Sequence, residues 1–240
     1  MKIALVGFGK MGKEIDRLVK EEGTHEIVSI SLAQNDGIWD LEGLKKADVV
    51  VDFTSPEATL ENIKKVSSLG KNMVIGTTGW NKDLMKVEKI VQKTGIGLIY
   101  GGNFSIGANI FFNVVAYASK LFSKFEDYDV YGYEIHHSAK KDSPSGTALT
   151  IARQITDNFP LKKNVQTDKL NRQIQKSELH FASIRGGRNP GFHQVVFDSP
   201  ADSVTLNHQA HSRAGFAKGA IWAAEFIKGK KGLFEFSEVL

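Results

Sequence analysis

The stretch KIALVGFGKMGKEI, Lys2 to Ile15, decides the fold. A short apolar run ends in Gly7, Gly9 and Gly12, spaced G-x-G-x-x-G, and an amphipathic stretch begins at once behind them. After a first strand and before a helix, the three glycines serve separate physical needs, namely a tight turn, close approach of backbone to a pyrophosphate, and close packing of helix on strand. The positive end of the helix dipole then receives the phosphates. Gly7, Phe8, Gly9, Lys10, Met11 and Gly12 are therefore candidate dinucleotide contacts, and a structural glycine turn is the alternative.

Outward from this stretch, strand-like and helical patterns alternate. HEIVSIS (25–31), ADVVVDF (47–53), NMVIGTT (72–78) and GLIY (97–100) are short runs rich in β-branched residues. Met11 to Glu22, Pro56 to Leu69 and Lys82 to Thr94 carry apolar residues every three or four positions. Strand and helix in turn imply right-handed βαβ units and a doubly wound α/β domain on a parallel sheet. Past residue 105 the rhythm changes. A long apolar helix is expected from Ala108 to Phe122, a strand over YDVYGYEIHH, a helix from Thr147 to Asn158, and a polar, lysine-rich segment from Leu161 to Ser177. ELHFASIRGG, FHQVVFDS and DSVTLNHQA then follow closely enough to require an antiparallel or mixed sheet, hence a second, α+β domain. A last apolar helix, Phe216 to Ile227, is placed to fold back onto the first domain. The expected division is 1–105, completed by 213–240, and 106–212.

Composition narrows the function. The chain has 240 residues, 41% hydrophobic and 24% charged, with no apolar run of membrane-spanning length. The absence of cysteine excludes disulfides, thiolate nucleophiles and zinc–thiolate sites, and a cytoplasmic protein is expected. The net charge of +4 is spread along the chain, which argues against nucleic acid and suits a small anion.

At the carboxyl ends of the fourth and fifth strands stand GTTG, Gly76 to Gly79, and GGNFSIGAN, Gly101 to Asn109. Ligands of open parallel sheets bind there, although such loops are also ordinary turns. The end of the second strand, SISLAQNDG, has neither the acid that marks NAD nor the arginine that marks NADP at the expected place, so cofactor choice stays open. Lys10 and Lys13 are available to a phosphate or are simply a solvated helix face. Mid-chain, EIHHSAKKDSPSGTA (Glu134 to Ala148) gathers His136, His137, Lys140 and Lys141 before a helix start at Ser145, Gly146 and Thr147. Adjacent strand histidines point to opposite faces, which disfavours a shared metal. A proton carrier, a cation and a helix N-terminus together suit acid–base work on a carboxylate. Tyr117 and Lys120 are three apart rather than four and read as helix surface.

With VVDFTSPEAT (50–59), VIGTTGW (74–80) and the ending SRAGFAKGAIWAAEFIKGKKGLFEF, these motifs resemble the dihydrodipicolinate reductase family of lysine and diaminopimelate biosynthesis over nearly the whole chain. H-H-x-x-K-x-D-x-P-S-G-T-A is the most specific of them. The resemblance implies a Rossmann-type domain binding NADPH or NADH through Gly7 to Gly12, Phe53, Gly76, Thr77, Thr78, Gly101, Gly102, Asn103 and Phe104. It implies His136 and Lys140 as the acid–base pair, His137, Ser145, Gly146 and Thr147 as contacts to a dicarboxylate substrate, and a homotetramer built through the second domain's sheet; with the two histidines on opposite faces, no metal is expected. Arg185 or Lys141 is a further candidate for a substrate carboxylate. Many relatives have one more residue in the glycine loop, and use of both cofactors is expected here. The rivals are a nucleotide sensor without chemistry, which has no reason to keep the His136, Lys140 and Ser-Gly-Thr set, and another two-domain dehydrogenase, which lacks the double histidine.

Overall fold

A computed structural model describes residues 1–32 and 38–240. The chain runs β1 (Lys2–Val6), α1 (Lys10–Glu22), β2 (Glu26–Ser31), α2 (Leu41–Lys46), β3 (Val49–Asp52), α3 (Pro56–Ser68), β4 (Asn72–Ile75), α4 (Leu84–Thr94) and β5 (Gly97–Tyr100). It continues through α5 (Ile106–Phe122), β6 (Asp129–His136), α6 (Gly146–Asn158), β7 (Asn164–Gln166), β8 (Glu178–Arg185), β9 (Phe192–Asp198) and β10 (Ser203–Gln209), then α7 (Ala214–Ile227) and β11 (Gly232–Glu235). Two compact units result, Met1–Ile106 with Arg213–Leu240, and Gly107–Ser212.

The first unit holds a parallel sheet of order β11-β5-β4-β3-β1-β2. Its strands are apolar on both faces because both are covered, and the two-residue period of a strand sorts them into two cores. Ile3, Leu5, Val49, Val51, Val74 and Ile99 pack with Ile15 and Leu18 of α1 and the small, buried Ala217, Ala220, Ala223 and Ala224 of α7. Ala4, Val6, Val50, Met73, Ile75 and Leu98 pack with Leu44 of α2, Ile63 and Val66 of α3, and Val87 and Val91 of α4. The last helix does fold back onto this sheet. Three elements lie outside what periodicity predicts. α2 is too short to show a period and is fixed instead by Asp40, which accepts from the Gly43 amide at 2.9 Å. β7 and β11 are short edge strands whose partners, β8 and β5, are distant in sequence or polar in context.

The second unit holds a sheet of order β10-β9-β6-β8-β7, antiparallel on one side of β6 and parallel on the other, so it is mixed. One face buries Val130, Phe181, Val195 and Phe197 against Phe111, Phe112 and Val115 of α5 and Ile151 and Ile155 of α6. Phe181 is held over Gly132, where a β-carbon would stand 2.5 Å from its ring. Phe181→Ala empties that place and is expected to lower unfolding stability by about 3–5 kcal/mol, measurable by urea denaturation.

Candidate active site

The first unit's candidate site lies at the carboxyl ends of β1, β3 and β4. Gly7, Phe8, Gly9, Lys10, Met11, Leu32, Phe53, Thr54, Pro56, Gly76, Thr77 and Thr78 line a cavity of about 660 Å³. Each glycine answers to a different constraint. Gly7 has φ +89°, and a β-carbon there would meet the Phe53 carbonyl oxygen at 2.5 Å. At Gly12 it would meet the Gly7 carbonyl oxygen at 2.4 Å, so α1 starts hard against the turn. Gly76 lies under the Phe53 ring, 2.0 Å from a built β-carbon. Gly9 has an extended backbone and nothing within 4 Å of the missing side chain, so neither fold nor packing requires it. Open space there, at the N-terminus of a 13-residue helix, fits a pyrophosphate.

Behind the cavity, Asp52 ties two of its loops together. Its carboxylate is fully buried and accepts from the Thr54 amide (3.0 Å) and hydroxyl (2.7 Å), the Asn62 side chain (2.8 Å) and the Thr77 hydroxyl (3.2 Å). Burial raises its pKa, and these donors oppose the rise. Gly101 and Phe104 lie by Phe236, with Phe104 4.6 Å from Phe236 and 6.0 Å from Phe53 between ring centroids. Gly102 is exposed with open space beside it, and Asn103 accepts from the Ser105 amide at 2.8 Å, so Gly101 to Phe104 are outside the cavity's lining. The region 33–37, on which the cofactor-choice reading partly rests, lies outside the described residues.

The second unit's candidate site is built on β6 and the segment after it. Val130, Gly132, Glu134 and His136 alternate onto the buried face. His136 closes the strand; His137 follows it, half-buried, its amide donating to the Asn189 carbonyl at 2.8 Å. Lys140 pairs with Asp142 at 2.8 Å and is partly exposed. Ser145 caps α6: its hydroxyl oxygen accepts from the Ala148 amide at 3.1 Å while the hydroxyl donates to Glu134. Gly146 is exposed, with open space where a side chain would be, and Thr147 is half-buried beside it at the positive end of the helix.

Glu134, which motif spacing did not single out, is the hub. It is wholly buried and accepts from the Ser145 amide (2.9 Å) and hydroxyl, the Ser183 hydroxyl (2.9 Å) and the Arg185 guanidinium (2.8 Å). The His136 Nδ1 and His193 Nε2 atoms each lie 3.3 Å from its Oε2. Burial pushes this carboxyl's pKa up, but the His193, Ser145 and Arg185 hydrogen bonds prevail and hold it well below the ordinary range. Burial pulls His136 down to about 4, the Glu134 charge opposing and His193, Lys140 and Arg185 adding to it. Glu134, His136 and His193 have the chemistry and spacing of a metal-binding trio. The carboxylate, however, already carries a guanidinium and two hydroxyl donors. Arg185 also donates to the Asp142 carbonyl at 2.6 Å, which commits it to holding the loop and leaves it poorly placed for the substrate contact expected of it. Lys141 is exposed.

These shifts set an acid-side weakness. A histidine whose folded pKa is depressed contributes stability that is present above its unfolded value, about 6.5, and is lost as the pH falls. For His136 the loss runs from there down to about 4, and His208, lowered mainly by burial, adds in the same direction. Urea unfolding at stepped pH is expected to show stability falling across this window, with a shallower fall in His136→Asn; an unchanged slope in that variant would assign the effect elsewhere.

A glycine cradle at the switch side of a parallel sheet, followed in the chain by a second unit with a mixed sheet, is the pattern of two-domain nucleotide-dependent oxidoreductases. The family model for the dihydrodipicolinate reductase N-terminus matches residues 1–104 and that for its C-terminus matches residues 107–240. The chain therefore belongs to the dihydrodipicolinate reductase family. It is 38% identical over 240 residues to a 4-hydroxy-tetrahydrodipicolinate reductase of Christiangramia forsetii, covering 100% of this chain and 98% of that one. A reductase of the same name from Methanosarcina acetivorans is 37% identical, covering 95% and 87%. Among solved structures, a dipicolinate-bound dihydrodipicolinate reductase from Paenisporosarcina sp. TG-14 shares the fold with a TM-score of 0.82 at 24% identity, covering 100% of this chain and 99% of that one.

Proposed function

We propose that the protein reduces the cyclic imine 4-hydroxy-tetrahydrodipicolinate (dihydrodipicolinate) to tetrahydrodipicolinate, with NADPH or NADH, in lysine and diaminopimelate biosynthesis. The observation that carries the reading is the set of His136, Lys140 and the α6 N-terminus on one turn of chain, in a sequence matched by the family from end to end. A nicotinamide cofactor supplies hydride when bound. The chain's own residues do the rest. Gly7 to Gly12 cradle the pyrophosphate, and Phe53, Gly76, Thr77, Thr78 and the loop Gly101 to Phe104 hold the remainder of the cofactor. Gly146 and Thr147 at the helix N-terminus, with His137, take the substrate's carboxylates. Ser145 supports that turn, since its hydroxyl proton is given to Glu134.

Proton delivery falls to Lys140. With His136 pulled down to about 4, its imidazole is neutral near pH 7 and holds no extra proton to donate, whereas an ammonium has protons to give. The same cation stabilises negative charge left on the ring as hydride arrives.

The expected homotetramer is supported by the outward face of the second sheet, which carries exposed Tyr131 and Ile184 beside half-buried Tyr133 and Ile135. No described helix is long and apolar enough to cross a membrane; the cytoplasm is where a reductase of this biosynthesis would work. Light scattering after size exclusion tests the assembly, and a monomer would count against it. The activity itself is tested by coupling a dihydrodipicolinate synthase to the purified protein and following loss of NADPH and NADH absorbance separately. Turnover with both is expected; cofactor binding without turnover would favour a sensor.

A further inference from the structure

We propose that Glu134 is the positioning residue of this site: its Oε2 fixes the His136 imidazole in the Nδ1–H form, turning the Nε2 lone pair outward, while its Oε1 locks the loop that carries Lys140. The proposal rests on the reductase reading above. A carboxylate on the buried face of a strand is costly unless its oxygens are met by donors, and Glu134 is met on both. Oε1 takes the Ser145 amide, the Ser183 hydroxyl and Arg185, which in turn holds the Asp142 carbonyl, so the segment 137–145 is anchored to one group at Asp142 and Ser145, on the far side of Lys140 from β6. Oε2 takes the Ser145 hydroxyl and faces the two imidazoles.

His136 Nδ1 is buried and makes no hydrogen bond among the described residues; Glu134 Oε2, 3.3 Å away and off the line of a hydrogen bond, is the charged acceptor beside it. An ionised carboxylate accepts and cannot donate, so the nitrogen facing it carries the hydrogen. Nε2 is then the lone-pair nitrogen. It lies against Gly191, where a β-carbon would come within 3.1 Å, so the glycine leaves it uncovered. A proton taken at Nε2 would leave Nδ1–H toward Glu134, whose charge offsets part of the burial cost of the cation, as where a buried carboxylate orients a histidine. His193 Nε2 also lies 3.3 Å from Oε2.

Glu134→Gln keeps the shape but presents an amide, and it should release the tautomer. Long-range nitrogen–proton NMR of the histidine rings is expected to show His136 as Nδ1–H in the unaltered protein and as Nε2–H or a mixture in the variant. In the coupled assay, kcat is expected to fall roughly 10²-fold, the lower end of what a positioned acid–base group contributes, with the KM for NADPH unchanged, and Glu134→Asp should recover part of the loss. A variant that keeps wild-type kcat and the Nδ1–H tautomer overturns the proposal. If Glu134→Gln does not fold, the NMR of the unaltered protein still decides, because an Nε2–H tautomer there overturns it too. Absence of turnover in the unaltered protein would instead sink the reductase reading, while the tautomer would still report on Glu134.

Discussion

Lys140→Ala is expected to lower kcat by roughly 10²–10³-fold, within the range that a positioned proton donor contributes, and to leave NADPH affinity unchanged. The separation follows from where the residue stands. Lys140 lies in the segment between β6 and α6, and the cavity assigned to the nucleotide is lined wholly by residues of the first unit. The lysine's ion pair with exposed Asp142 is a surface interaction of small worth, so truncation should remove a proton and a positive charge without disturbing the core. Calorimetric titration with NADPH beside steady-state kinetics checks both halves. Near-normal turnover would return the donor's role to His136 or to water. Loss of NADPH binding together with turnover would mean that the two units are more closely coupled than this division allows.

The second large effect separates two glycines three residues apart. Gly9→Val meets no atom of the protein within 4 Å of its β-carbon and asks for no unusual backbone angle. Its stability should stay within about 0.5 kcal/mol of wild type, as for a surface substitution. A pyrophosphate that needs the backbone at close range would meet the new methyls, and overpacking of about 1–3 kcal/mol corresponds to roughly 5–150-fold weaker binding. Gly12→Val reverses the pattern: its β-carbon would lie 2.4 Å from the Gly7 carbonyl oxygen, so α1 must move away from the turn. Unfolding midpoints together with NADPH titrations of the two variants distinguish ligand clash from fold damage. Equal affinity in Gly9→Val would remove the nucleotide from the glycine cradle.

Much of this is legible in sequence because the first unit is regular. Alternating apolar runs and helical periods mark its five leading strands, and the glycine spacing points to the cavity without any coordinates. The motif Glu134 to Ala148 likewise names the residues grouped around β6 and α6. What escapes has physical causes. β11 is four residues long and pairs with β5 more than a hundred positions earlier, so no local pattern marks it. His193 and Arg185 reach Glu134 from β9 and β8, neighbours created by sheet order rather than by spacing. Glu134 stands inside the quoted motif yet reads there as one more charged residue. An acid alternating with buried positions of a strand, Val130, Gly132 and His136, is the signal that could have found it.

The order of the chain also dictates an order of assembly during synthesis. Every residue of the second unit lies between positions 107 and 212, so all its pairing partners have been made before α7 emerges. The first unit is different: its sheet lacks an edge strand, and Ile3, Leu5, Val49 and Val51 lack the alanine face of α7, until the final segment has left the ribosome. A chain made only as far as residue 212 therefore contains every residue of the second unit but lacks one edge strand and one covering helix of the first. The last twenty-eight residues, Arg213 to Leu240, act as the closing piece of a structure begun with the first.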